Sequence, residues 1–260
     1  MFKKIVASLL LVVSGISQAE PIVDNSFLVE EAFNQEPGVV QFINVFTKSE
    51  KGRDWNYTFI NEIPVIDETH QFSYEIPYSS LEAVDKKGVE DIKLNYRRQF
   101  FANDKIITTG RVSATVANGD YKKGFGKGSM GYEASLITSV QITDKWYQHW
   151  NLGAGITPDA KATNGDKADN SKYFWAMSNV YLFSDNLNFM LEFAGSEEEE
   201  TTGANTATYG SSVVMSPSLR YAVNVGEWQF VPGIAYPMGV TSNAGENEIL
   251  VYLSIEGKLF

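Results

Sequence analysis

Asp91-Ile92-Lys93-Leu94-Asn95-Tyr96-Arg97-Arg98-Gln99-Phe100 is the stretch that decides how this chain is read. On an extended backbone successive side chains point to opposite faces. Asp91, Lys93, Asn95, Arg97 and Gln99 therefore share one face, and Ile92, Leu94, Tyr96 and Phe100 share the other. A soluble sheet yields such a pattern too, so its recurrence carries the argument. Glu75 faces away from Phe72, Tyr74 and Ile76, and Arg111 joins Ser113 and Thr115. Arg220 joins Ser216 and Ser218 opposite Pro217, Leu219 and Tyr221. At the end of the chain Ile249, Val251, Leu253, Ile255 and Leu259 oppose Glu248, Ser254, Glu256 and Lys258.

Working outward, strand-length stretches fall at 38–48, 53–63, 69–79, 88–102, 105–117, 130–142, 145–157, 172–183, 186–196, 208–224, 227–240 and 247–260. The connections alternate in length. Pro64 to Glu68, Asn103-Asp104, Thr143-Asp144, Ser184-Asp185 and Val225-Gly226 are short, whereas 80–87, 118–129, 158–171, 197–207 and 241–246 are mostly longer. The segment near Glu50 to Gly52 is short where the rule wants a long loop. Short turns at one rim and longer loops at the other are the mark of an outer-membrane barrel. The expected fold is all-β, a transmembrane antiparallel β-barrel of about twelve strands with a short N-terminal helix. An even strand count leaves both chain ends in the periplasm.

The polar face then lines the lumen, and its charged members are Glu75, Asp91, Glu133, Glu192 and Glu256 against Lys93, Arg97, Arg111, Arg220 and Lys258. Equal numbers of each sign point to a mutually paired interior, intermediate between a filled core and an open porin channel. Arg97, Arg111 and Arg220 facing Glu75, Glu133 and Glu192 are expected at the narrowest part; a salt-bridge lattice that only satisfies the interior is the alternative. The outer face carries Trp55, Tyr57, Phe59, Tyr132, Trp146, Trp150, Tyr173, Phe189, Trp228 and Tyr236, many near strand ends as interfacial girdles require.

Residues 1–19 read as a cleavable secretory signal: Lys3 and Lys4, an apolar run from Ile5 to Ile16, and Ser17-Gln18-Ala19. Cleavage before Glu20 takes Lys3 and Lys4 from 21 basic residues, leaving 19 against 32 acidic ones and a net charge of −13. That charge argues against nucleic acid as a partner. The chain has no cysteine, hence no disulfide, thiol chemistry or lipoprotein anchor. No later segment reaches the ~20 apolar residues of a membrane helix. Within residues 20–37 a helix is expected from about Ser26 to Gln35, with Asp24, Asn25 and Ser26 as capping oxygens, Glu30 and Glu31 early, and Pro37-Gly38 ending it. It reads as a cap on the periplasmic rim, with a plug inside the lumen as the alternative. Residues 38–260 form the barrel. Phe260 suits recognition of the last strand by barrel-assembly machinery, yet it shares the parity of Glu256 and Lys258, so either a bulge near Gly257 shifts the register or the signal is imperfect.

Several stretches resemble one family. They are Phe27-Leu28-Val29-Glu30-Glu31-Ala32, Gln35-Glu36-Pro37-Gly38-Val39-Val40-Gln41, Asn61-Glu62-Ile63-Pro64, Glu75-Ile76-Pro77-Tyr78, Gly88 to Arg97, and Trp146-Tyr147-Gln148-His149-Trp150-Asn151-Leu152-Gly153. Together they are similar to the outer-membrane transporters of the "MetA-pathway of phenol degradation" barrels, over most of the mature chain. The resemblance implies an outer-membrane barrel that passes small solutes, apolar or aromatic compounds among them. It supplies no catalytic or ligand-binding residue.

Other chemistry is weakly supported. A membrane-embedded lipid hydrolase needs Ser beside His beside Asn or Asp, and only His70 and His149 exist. His149 lacks a Ser two residues on, and His70 and Ser73 have opposite parities. Asp159, Asp166 and Asp169, and the run Glu197 to Glu200, offer oxygens to hard cations but read as solvated loop charge. The glutamate run has a further reading, engagement of divalent ions that also bridge lipopolysaccharide. Gly124 to Gly128 lacks the strand-to-helix setting of a phosphate loop. The expected function is passive passage of a small solute across the outer membrane, with lipid bilayer, lipopolysaccharide and assembly machinery as partners and no cofactor or metal. A closed structural or adhesive barrel acting through its loops is the alternative.

Overall fold

The computed structural model of the protein describes residues 26–259. The expected signal segment, Asp24, Asn25 and the terminal Phe260 lie outside them. Twelve strands form one closed ring: β1 (Val39–Ser49), β2 (Trp55–Val65), β3 (Asp67–Leu81), β4 (Ile92–Ala102), β5 (Ile106–Val116), β6 (Gly131–Thr143), β7 (Trp146–Lys161), β8 (Lys167–Ser184), β9 (Leu187–Gly203), β10 (Thr206–Tyr221), β11 (Trp228–Ala235) and β12 (Glu248–Lys258). Each is antiparallel to its neighbours, and β12 closes the ring against β1 from Glu248↔Ser49 to Lys258↔Val39. Three short pieces, Lys86–Val89, Val223–Val225 and Met238–Gly239, extend the ladder at the rims.

The parity reading holds at the level of burial. Glu192, Arg220, Ser178 and Ser254 are 0–1% exposed, whereas Leu152, Val112 and Phe183 on the opposite parity are 66%, 57% and 57% exposed. A water-soluble sheet hides the second group and solvates the first. The inversion is stable only where hydrocarbon surrounds the wall, because closure also leaves no strand edge with unpaired backbone groups. Aromatic clusters sit toward both ends of the wall: Phe46, Trp55 and Tyr78 at one, Trp146, Tyr181 and Phe183 at the other.

Three expectations are corrected. Segments 158–171 and 197–207 are not long loops: β7 and β8 stay paired out to Lys161↔Lys167, and β9 and β10 out to Gly203↔Thr206. Threonines at 201, 202, 206 and 208 favour that continuation, and the turn closes at Asn205, with φ 54°. Register between β12 and β1 runs unbroken through Gly257, and pairing of β12 with β11 ends at Trp228↔Gly257, so of the two readings of Phe260 the bulge falls; the Trp228 ring lies against that glycine. Residues 26–37 form no helix. They are an irregular chain with bends, and they do not cap the rim.

Candidate functional site

The irregular segment lies inside the barrel. Its backbone is bound by inward side chains from strand after strand, which a chain outside a single-layered wall could not reach. Starting from the periplasmic rim at Gly38, the Gln35 N–H donates to Gln71 Oε1 of β3 at 2.7 Å. Ala32 is held on both sides: its N–H donates to Ser139 Oγ of β6 and its carbonyl accepts from Thr109 Oγ1 of β5, each at 2.8 Å. Asn151 of β7 accepts from the Glu30 N–H at 2.8 Å and donates to the Glu30 carbonyl at 2.7 Å. One oxygen of Glu192 on β9 accepts from the Phe27 and Leu28 N–H groups, both at 3.1 Å. The Phe27 ring stacks on Tyr252 of β12 at 4.5 Å and packs beside Val180 and Met190. The segment is a belt running round the inner wall.

Of the residues expected at the narrowest part, the belt claims three. Arg97 donates to the Glu31 carbonyl at 3.1 Å and to the Phe33 carbonyl, and its guanidinium lies 3.6 Å from Glu62. Arg111 pairs with Glu30, and Glu192 is described above. Arg97 and Arg111 are direct cross-strand partners. Arg220 is buried on β10, opposite Asn188. Glu75 accepts from Asn95 at 2.8 Å, Lys93 pairs with Glu133, and Glu256 accepts from Gln41 at 3.3 Å. Arg97 thus meets Glu62 and the belt, Arg111 meets Glu30 of the belt, and Glu133 pairs with Lys93. Lys258 is exposed at the periplasmic rim.

Asp91 stands apart from the others. Its two carboxylate oxygens accept from the Gly119 and Lys127 N–H groups, each at 2.8 Å, pinning the loop 117–130 over the outer mouth. Gly126 passes so close that a Cβ would meet the Asp91 oxygen at 2.4 Å. From this loop Lys127 reaches Glu198 of β9 at 3.2 Å, and the same carboxylate lies 3.5 Å from Lys172 of β8. This bridge narrows the mouth. Below it lie a vestibule of about 310 Å³ and a chamber of about 290 Å³, which share Glu133 and Lys172 in their linings. Arg111, Leu28 and Glu30 line both this chamber and a further pocket of about 190 Å³ beside the belt.

No family model and no curated protein sequence matches this chain. Solved structures do. An outer-membrane channel from Pseudomonas putida F1 superposes with a TM-score of 0.68 at 12% identity, over 87% of this chain and 97% of that one. The NanC porin gives 0.57 at 9% identity, over 85% and 100%. The KdgM porin in complex with disordered oligogalacturonate gives 0.51 at 8%, over 85% and 99%. The likeness is one of fold.

Ser139 and His149 are closer than their spacing suggested: Oγ and Nδ1 are 2.8 Å apart. The pair is buried, and the same Ser139 oxygen takes the Ala32 N–H, so it forms a relay that holds the belt. His70 contacts Tyr96 on the outer face, and Ser73 is inside with Asn95. Among the described residues no acidic or histidine cluster has metal-holding geometry. Glu198 is used by lysines, Glu199 takes both donors of Ser171 at 2.8 and 2.6 Å, and Asp159 pairs with Lys167 at 2.9 Å. Sequence reasoning missed Gln71, Thr109, Ser139 and Asn151 as belt contacts, Glu30 of the belt as the partner of Arg111, and Glu62 as a partner of Arg97. All but Glu30 lie on the inward parity, so their place on the wall was readable, but not what they hold.

Proposed function

We propose that this protein is an outer-membrane channel for passive passage of small solutes, closed at rest by residues 26–37. A cleavable signal at 1–19 accounts for export, and the last strand is the segment that assembly machinery would read. The resemblance to the phenol-degradation transporter barrels, and the porin and channel folds it superposes on, support solute passage. Lipopolysaccharide is the expected neighbour of the long outer hairpins. One observation carries the reading: residues 26–37 run inside the lumen, held to the wall chiefly by hydrogen bonds and ion pairs to side chains, with Phe27 stacked on Tyr252. Each such bond contributes about 0.5–3 kcal/mol, so the obstruction is displaceable while the ladder is not.

The test is conductance in planar bilayers and solute-driven swelling of liposomes, comparing the full chain with an internal deletion of residues 26–37. The expected outcome is rare openings for the first and steady conductance for the second. A deletion variant that folds, by heat-modifiable gel migration, and never conducts would end the reading.

A further inference from the structure

We infer that the chamber between the belt and the outer ionic bridge binds a small organic monoanion, a carboxylate carried on a ring or short apolar body. The inference rests on the reading of the lumen as a solute path and names the class of solute.

Charge comes first. The cations that line the chamber are Lys93, Arg111 and Lys172, and the carboxylates are Glu30 and Glu133; Lys127 and Glu198 lie in the roof above, beside Glu90 and Asp91. Lys93 is matched by Glu133 and Arg111 by Glu30. Lys127 and Lys172 then share one carboxylate, with Lys172 at the longer distance, 3.5 Å against 3.2 Å. The chamber lining is one negative charge short, and the cation left over is Lys172, which shares Glu198 with Lys127. A bound carboxylate is the group that completes it.

Shape comes second. Two residues along β8, on the same inward parity, Phe174 lies flat on Gly153 of β7, where a Cβ would meet the ring at 2.2 Å. One ring face is therefore spent on the wall and the other is offered to the chamber. The Lys172 ammonium stands 5.8 Å from the ring centroid. Leu28 of the belt, Ala176, Ala194 and Val214 extend the apolar surface, and the Ser196 and Ser212 hydroxyls, 3.0 Å apart, supply donors beside it. A cation, an aromatic platform and an apolar wall with few polar groups are the parts of a small-ligand site. At about 290 Å³ it takes one ring, not an oligosaccharide.

Benzoate, benzyl alcohol and benzylammonium are matched probes that differ in charge. Calorimetric titration of the folded full-length barrel in detergent should give saturable benzoate binding at least about tenfold tighter than benzyl alcohol, with benzylammonium excluded. Lys172→Gln should abolish the preference for benzoate and leave benzyl alcohol unchanged. Lys172→Arg should retain it, which separates charge from folding, and Phe174→Leu should weaken both ligands. Equal affinity for benzoate and benzyl alcohol, no saturation by the folded wild type, or an unaltered preference in Lys172→Gln would each overturn the inference. Binding is read without flux, so a barrel that conducts but does not bind refutes the site alone. One that binds but never conducts, even without residues 26–37, refutes the channel and leaves the site.

Discussion

Thr109→Val combined with Ser139→Ala tests the belt as a gate with the least disturbance of the wall. Thr109 Oγ1 and Ser139 Oγ hold the carbonyl and the N–H of Ala32, both at 2.8 Å, and Ala32 is 0% exposed. Valine keeps the shape of threonine, and alanine removes one atom. In the seated belt each substitution leaves a buried backbone group without its partner, a cost of about 1–3 kcal/mol; in the released belt the same group is hydrated. The Ser139–His149 contact is lost in both states and cancels. Because the two sites share one residue their costs do not simply add, and a combined shift of about 2–4 kcal/mol is expected. At 1.4 kcal/mol per decade the released fraction rises roughly thirtyfold to a thousandfold. Single-channel open probability in planar bilayers reads it directly, each single variant falling between wild type and the pair. If the folded double variant opens no more often than wild type, the belt is not the gate.

Asp91→Ala removes the acceptor of two loop N–H groups, so trypsin added to intact cells should cut at Lys122 or Lys123 at least about tenfold faster, while a cut rate like wild type would mean that Asp91 does not pin the loop. Glu246 ties the first and last outer loops together, accepting from the Ser49 hydroxyl at 2.5 Å and the Gly52 N–H at 3.0 Å. The Ser49 hydrogen bond, foremost among several, holds this carboxyl below its usual range. A lowered folded value means that the clasp contributes fully above the ordinary glutamate pKa of about 4.3 and fails only as pH falls through the folded value. Hydrogen exchange at Gly52 should therefore stay slow from neutral pH into that range and quicken in stronger acid. Glu246→Gln should weaken the clasp even at neutral pH. Early loss in the wild type, or protection unchanged in the variant, counts against it.

The ring of strands was legible because parity repeats in every strand and closure makes each of them obey it. All twelve read stretches overlap observed strands, and Glu192, Arg97 and Arg111 are buried. Partner identity was not legible. That Arg97 meets Glu62 while Asn95 takes Glu75 depends on side-chain reach around a curved wall, which parity does not encode. The outer hairpins were misread because Glu197 to Glu200 and their threonines look like solvated loop. Paired extension beyond the hydrocarbon keeps every charge wet and still satisfies the backbone.

The missing helix has the same kind of cause, and it explains the lumen. Residues 26–35 carry capping oxygens and a plausible apolar face, yet a helix of ten residues is marginal in water without packing. A helix also spends its N–H and C=O groups on itself. Placed in this lumen it would leave Gln71, Thr109, Ser139, Asn151 and Glu192 facing a surface with little to bond. An irregular chain presents a donor and an acceptor at each residue, and the wall takes them up from Phe27 to Gln35. Charge pushes the same way. Arg97 and Arg111 face each other directly across β4 and β5, an arrangement that repels unless anions or carbonyls intervene. The belt supplies the Glu30 carboxylate to one, and the Glu31 and Phe33 carbonyls to the other. Arg97 and Arg111 are therefore half of a socket whose other half is the segment 26–37, and withdrawing it leaves Arg97 with Glu62 and takes Glu30 from Arg111. The resting belt is thus held by the charge pattern of the wall as well as by hydrogen bonds, and an anion brought to this level of the lumen favours its release.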